Sequence, residues 1–206
     1  MDRRTVLKTM SLSLGYVIAT PSLLQILSSC DGKKDTAWKP HFLTYSQGYV
    51  LAQLTDIILP SSNTLGSKDV HVPQFIDRVL KDLIPKNEKE LILKGSSVFH
   101  LKFKDLFKKD CLKGTKKEFS ALLSVYFNVN TERKNHIFEI ISRSEEDIKD
   151  LESYYMYKYL IFIRYYTLFG YFTSKRVGTE ILNYDQIPGS FEGCIPVLEA
   201  GNVSSI

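Results

Sequence analysis

Residues 154–172 read YYMYKYLIFIRYYTLFGYF, with seven tyrosines. No other stretch constrains the fold as strongly. Its length invites a membrane reading, since a spanning helix needs about 20 predominantly apolar residues. Lys158 and Arg164 stand inside it, however, and tyrosine favours membrane interfaces over the hydrocarbon centre. Leu160, Ile161, Phe162 and Ile163 cover nearly all faces of one turn, so a helix here needs neighbours on every side. Ser144 with Asp147 three residues on opens the element, which extends from Glu145 to Ser174. At 30 residues it would span about 45 Å. Buried tyrosines need a hydroxyl partner and are common at interfaces, so some of these rings are expected to face another protein.

The elements around it also read as helices. Ser46 is the expected N-cap of a helix to Leu59, with Val50, Leu54, Ile57 and Ile58 at helical spacing and Pro60 as its stop. Residues 61–73, SSNTLGSKDVHVP, form a loop by composition. A second helix spans Gln74 to Ile84, with Phe75, Ile76, Val79, Leu80 and Leu83 on one face. A third spans Glu88 to Asp110, and its Lys102, Lys104, Lys108 and Lys109 read as a solvated face. Thr115 and Glu118 make a capping box for a fourth helix to about Asn128. No run alternates cleanly enough for a strand, and there is no internal repeat. The expected fold is all-α: a single helical domain with one long tyrosine-rich helix and an irregular C-terminal tail.

The N-terminus reads as a delivery signal. Arg3-Arg4-Thr5-Val6-Leu7-Lys8 resembles the twin-arginine signal of bacteria, the route for proteins exported already folded. The uncharged run from Met10 to Leu27 is short and interrupted, which suits a signal peptide. Leu27-Ser28-Ser29-Cys30 matches the bacterial lipobox, with the Cys30 thiol as lipid acceptor. The competing reading is a general-secretion signal with an incidental arginine pair. The implied organisation is a lipoprotein signal peptide over 1–29, a lipidated N-terminus and tether over 30–45, and the helical domain over 46–206. The expected location is the bacterial cell envelope, on the periplasmic side, with the membrane reached through lipid on Cys30.

Cutting before Cys30 removes Arg3, Arg4, Lys8 and Asp2, so the net charge falls from +4 to +2. The remaining 177 residues suffice for one domain with a real core. Lysines are spread along the chain and no basic stripe alternates with stacking aromatics, which argues against nucleic acid. Cys111 and Cys194 could pair in an oxidising compartment or stay as two separate thiols; sequence supplies no distance.

No catalytic constellation emerges. The chain lacks Gly-x-Gly-x-x-Gly and Cys-x-x-Cys-His, so no dinucleotide or attached-haem motif is present. His41, His71, His100 and His136 stand too far apart for a helical metal pair and read as surface or loop residues. Gly189-Ser190-Phe191-Glu192-Gly193 lacks the central serine of a nucleophile elbow. Asp56 and Asp77 fall on different expected helices, where capping or ion pairing is the sound default. No cofactor is expected in this chain. Folded export without a cofactor site suggests that the cofactor belongs to a partner.

Three patches carry a family resemblance. They are Leu54-Thr55-Asp56-Ile57-Ile58-Leu59-Pro60, then Val72-Pro73-Gln74-Phe75-Ile76-Asp77, then Gly170-Tyr171-Phe172-Thr173-Ser174 with Tyr184 and Ile187-Pro188-Gly189-Ser190-Phe191-Glu192-Gly193-Cys194. With the twin-arginine start, the chain resembles the gluconate 2-dehydrogenase subunit 3 family over roughly residues 45–195. The resemblance implies a small, non-catalytic subunit. Its large partner would be an FAD-dependent oxidoreductase of the glucose-methanol-choline type, with a c-type cytochrome often accepting the electrons. It marks Asp56, Pro60, Phe75, Asp77, Tyr171, Tyr184, Pro188, Gly189 and Gly193 as motif or interface residues. The lipobox departs from the family pattern and implies a membrane-tethered complex. Two other readings remain: a free-standing enzyme, and a structural or binding envelope lipoprotein without a redox partner.

Overall fold

The computed structural model describes residues 38–182, 187, 189, 194 and 196. Arg3, Arg4, Cys30, Tyr184, Pro188 and Gly193 lie outside the described residues. The chain divides between Trp38 and Lys39, and the fold below is that of the unit from Lys39 onward. Its helices are α1 (Tyr45–Ile58), α2 (Val72–Asp82), α3 (Lys86–Phe107), α4 (Lys116–Phe127), α5 (Thr131–Ser142), α6 (Leu151–Phe172) and α7 (Lys175–Glu180). Short 3₁₀ turns occupy Cys111–Lys113 and Glu145–Asp147. No strand occurs among the described residues, so the all-α expectation holds.

Helix α6 is the hub, packing most extensively against α3 and also touching α1, α2, α5 and α7. The α3–α6 contact is close because Gly95 lies at it. A Cβ there would fall 2.3 Å from the Tyr155 carbonyl oxygen and 2.5 Å from the Tyr159 Cβ. The core beneath it is aromatic. Phe119 stacks on Phe103 at 4.6 Å and on Phe99 at 6.2 Å, and all three are fully buried. Burying a Phe side chain is worth about 1.5–3 kcal/mol, so this cluster joins α3 to α4.

Local signals set some boundaries as expected and tertiary contacts moved others. The Thr115–Glu118 capping box opens α4. At α1 the cap is Thr44, in a capping box with Gln47, and not Ser46. Ser46 is occupied elsewhere. His100 Nδ1 donates to the Ser96 carbonyl at 2.7 Å, leaving Nε2 to accept from the Ser46 hydroxyl at 3.1 Å. Thus His100 is a half-buried helix residue rather than a surface one. Helix α2 starts at Val72, two residues early, because Pro73 in a first turn gives up an N–H that has no helical partner anyway. Helix α3 ends at Lys108, whose φ of 55° breaks the helical path.

The long helix is shorter than expected. It begins at Leu151, capped by Asp150, and has 22 residues, about 33 Å. Ser144 makes no cap bond. Glu145 is drawn sideways instead: Lys94 pairs with it at 2.7 Å and the Tyr155 hydroxyl donates to it. These contacts favour a separate 3₁₀ turn over a continuous first turn of α6. The expected solvated lysine face is partly paired as well, with Lys102 on Glu152 and Lys109 on Glu118. Helix α5 has no counterpart in the sequence reading. Asn130 caps it, but Ile137 is its one buried residue. Helix α7 falls where the irregular tail was expected to begin.

Candidate functional site

The first two motif patches and the Gly170–Ser174 part of the third meet around the loop between α1 and α2. Pro60 ends α1 and sends the chain into a tight turn. A Cβ on Gly66 would lie 2.3 Å from the Ser61 nitrogen, so no other side chain fits. Asp69 holds the turn by accepting from Ser61 Oγ at 2.6 Å and from the Gly66 N–H at 2.7 Å. Those donors, with Arg176 and Lys68 nearby, lower its pKa. From α6, the Tyr171 hydroxyl donates to the Leu65 carbonyl at 2.8 Å. Burial of that ring raises its pKa, and the Asp69 charge adds to the shift. From α7, Arg176 donates to the Asp69 carbonyl at 3.2 Å. Helices α1, α6 and α7 thus brace one loop.

Asp56 and Asp77 do different work. Asp56, at the end of α1, takes Lys116 at 2.7 Å and Lys68 at 3.0 Å. Burial pushes its carboxyl up, but the two lysines outweigh it and hold the pKa below its ordinary value. Asp77 is 0% exposed. It accepts the backbone N–H groups of His41, Phe42 and Leu43, at 2.6, 3.2 and 2.9 Å. A single carboxylate therefore fixes the point where the N-terminal segment joins the helical body. Ion pairing accounts for Asp56, whereas Asp77 neither caps a helix nor pairs with a cation among the described residues but anchors the backbone ahead of α1.

The other marked residues divide. Phe75 packs on Gly170, where a Cβ would come within 2.5 Å of its ring. Pro60 and Gly189 are exposed, and a Cβ on Gly189 would meet nothing within 4 Å. Cys111 and Cys194 are separate thiols here, one buried and one exposed. Burial pushes the Cys111 thiol up to about 12, which leaves it unreactive.

Sequence reasoning expected some rings of α6 to face another protein but did not foresee the groove beside them. Between the C-terminal end of α1, α4, α5 and α6 lies a groove of about 730 Å³. Leu123, Phe127, Ile137, Phe138, Tyr157 and Ile161 line it, with Lys134 and Arg164 as its cations. Beside it a row of rings continues along α6. Tyr165 is 59% exposed, Phe169 46% and Phe172 43%. The helix was expected to be surrounded; over its C-terminal half the described residues leave one side uncovered. The available signal was the helix itself, apolar on nearly every face of one turn.

Among the described residues no helix is long and apolar enough to cross a membrane, and no group of three or more His, Cys, Asp or Glu could hold a metal ion. What this geometry offers is braced loops and an apolar surface. No curated protein and no solved structure matches the chain. A family model does match, that of gluconate 2-dehydrogenase subunit 3, over residues 46–189. The match takes in the helices from α1 to α7 together with the braced loop between α1 and α2. On that match the chain belongs to the gluconate 2-dehydrogenase subunit 3 family and is, by that membership, a subunit that works beside partner oxidoreductase subunits.

Proposed function

We propose that this chain is a non-catalytic small subunit that supports maturation, export and membrane tethering of an FAD-dependent sugar or sugar-acid dehydrogenase of the glucose-methanol-choline type. The family match over residues 46–189 carries the reading. Two sequence features support the finer parts: Arg3-Arg4 as a signal for folded export, and Leu27-Ser28-Ser29-Cys30 as a lipidation site. FAD belongs to the large subunit, and haem c to a third subunit where one is present. The complex sits on the periplasmic side of the bacterial envelope, held by lipid on Cys30. The Asp77 clamp suits that role, because it joins the tether to the body at a fixed point.

The deciding experiment replaces Arg3 and Arg4 with Lys in the native host. Sugar-dependent dye reduction is then measured in cytoplasmic, periplasmic and membrane fractions. Both this chain and its flavoprotein should remain in the cytoplasm, the flavoprotein already loaded with FAD. A flavoprotein that reaches the envelope at normal levels would sink the export role. A second substitution, Cys30→Ser, should release the complex from membranes; retention at high salt with normal processing would sink the lipid anchor.

A further inference from the structure

The uncovered side of α6 has a composition that specifies what should cover it. At 100° per residue, Leu160, Ile163, Thr167, Gly170 and Tyr171 point into the body and are buried. Arg164, also exposed, stands between the two arcs on the groove side, whereas Tyr165, Phe169 and Phe172 fall on the opposite arc and are exposed. These rings are held in place by one another. Tyr165 stacks on Phe169 at 6.1 Å with planes 6° apart, and Phe169 meets Phe75 of α2 at 6.2 Å. A preset aromatic surface loses little conformational freedom on binding. The groove beside it is concave and apolar, so it suits an inserted segment rather than a flat surface.

The charge is one-sided. Lys158 and Arg164 are the charged residues of the stretch 153–174, which contains no carboxylate. Lys134 faces the same groove from α5. Neither Lys134 nor Arg164 forms an ion pair with a described residue. Covering a guanidinium is costly unless a carboxylate meets it. A second copy of this face fits poorly, since two-fold pairing would set the same cations against each other.

We propose that the open face of α6 and its groove receive an apolar segment of the partner oxidoreductase subunit that carries a carboxylate for Arg164. This rests on the proposed function above, and the test separates the two. The chain is tagged and purified from its native host as the wild type, as Arg164→Glu, and as Tyr165→Ser with Phe169→Ser. The readout is FAD per mole of tagged chain, with the flavoprotein identified by mass spectrometry. The wild type should carry close to one FAD per chain. Each variant should lose occupancy by about tenfold or more, as expected for central charged and aromatic anchors. Arg164→Lys should retain most of it. Thermal melts should stay near wild type because the substituted side chains are exposed, which separates lost docking from lost folding. Variants with wild-type occupancy would overturn the surface and leave the subunit reading standing. A wild type that carries no flavoprotein would overturn both. If the isolated chain is a dimer that Arg164→Glu disperses, or binds phosphatidylglycerol vesicles through Arg164, the occupant is a second copy or a membrane and the proposal is wrong.

Discussion

On the side of α6 that meets α3, Gly95 lets the Tyr155 backbone approach, and Phe99, Phe103 and Phe119 close the space beneath. On the opposite side the same helix presents Tyr165, Phe169 and Phe172 to solvent beside a groove that α5 only partly covers. The two sides have similar residue types and opposite fates. What separates them is whether another element arrives. Apolar character along one helix therefore does not say which residues form the core and which form an interface. The polar anchors follow the same division. Asp56, Asp69 and Asp77 tie down the α1–α2 end, whereas Arg164 and Lys134 at the groove have no ionic partner among the described residues.

The largest expected effect tests the closed side. Phe119→Ala should destabilise the protein by about 3–5 kcal/mol, through lost burial and an unfilled cavity between Phe99 and Phe103. Phe138→Ser on the open side should change stability by less than about 0.5 kcal/mol. Urea denaturation of both variants checks the pair, and equal losses would break the comparison.

Next comes the N-terminal clamp. Asp77→Ala removes the acceptor of three backbone N–H groups and should cost about 2–4 kcal/mol. It should also expose the segment before Thr44 to limited proteolysis, while cleavage elsewhere stays at the wild-type rate.

Gly95→Ala should cost about 1–3 kcal/mol. The new methyl would meet a backbone oxygen at 2.3 Å, and α3 and α6 would have to separate. Helix propensity alone predicts a gain of about 0.5–1 kcal/mol, so the sign of the change in Tm decides which effect wins.

The smallest effect concerns Asp56. Its carboxyl is held below the ordinary 3.8, so the ion pairs add stability above that pH and lose it as pH falls through the folded-state value. Both lysines are about half exposed, which limits the contribution to about 1 kcal/mol or less. Asp56→Asn should therefore lower stability modestly at neutral pH. The difference from wild type should vanish in strong acid, as read from denaturation midpoints across the acid range.

Much of the fold was legible because helices are specified locally. The capping box at Thr115 and Glu118 spans three residues, and the Pro60 stop acts on its own neighbours. The apolar spacing of Val50, Leu54, Ile76, Val79 and Leu80 identified helices and their buried sides without knowledge of what they would meet, although Leu83, expected on the same face of α2, is 73% exposed. Helix α5 was harder to see. Its sequence THR-GLU-ARG-LYS-ASN-HIS is polar, and a single buried residue, Ile137, leaves almost no periodic signal.

By itself, then, the sequence determined the all-α class, the core-facing sides of α1 and α2, the α4 cap and the family motifs, since each depends on side chains within about one turn of one another. The tertiary structure alone decided the rest. It moved the start of α6 by recruiting Glu145 to Lys94, 51 residues away. It gave Asp77 its three donors, more than 30 residues distant, and joined Tyr171 to Leu65 across 106. It also left Tyr165, Phe169 and Phe172 of α6 exposed. Contacts at such separations depend on where whole helices come to lie, and no local pattern encodes that.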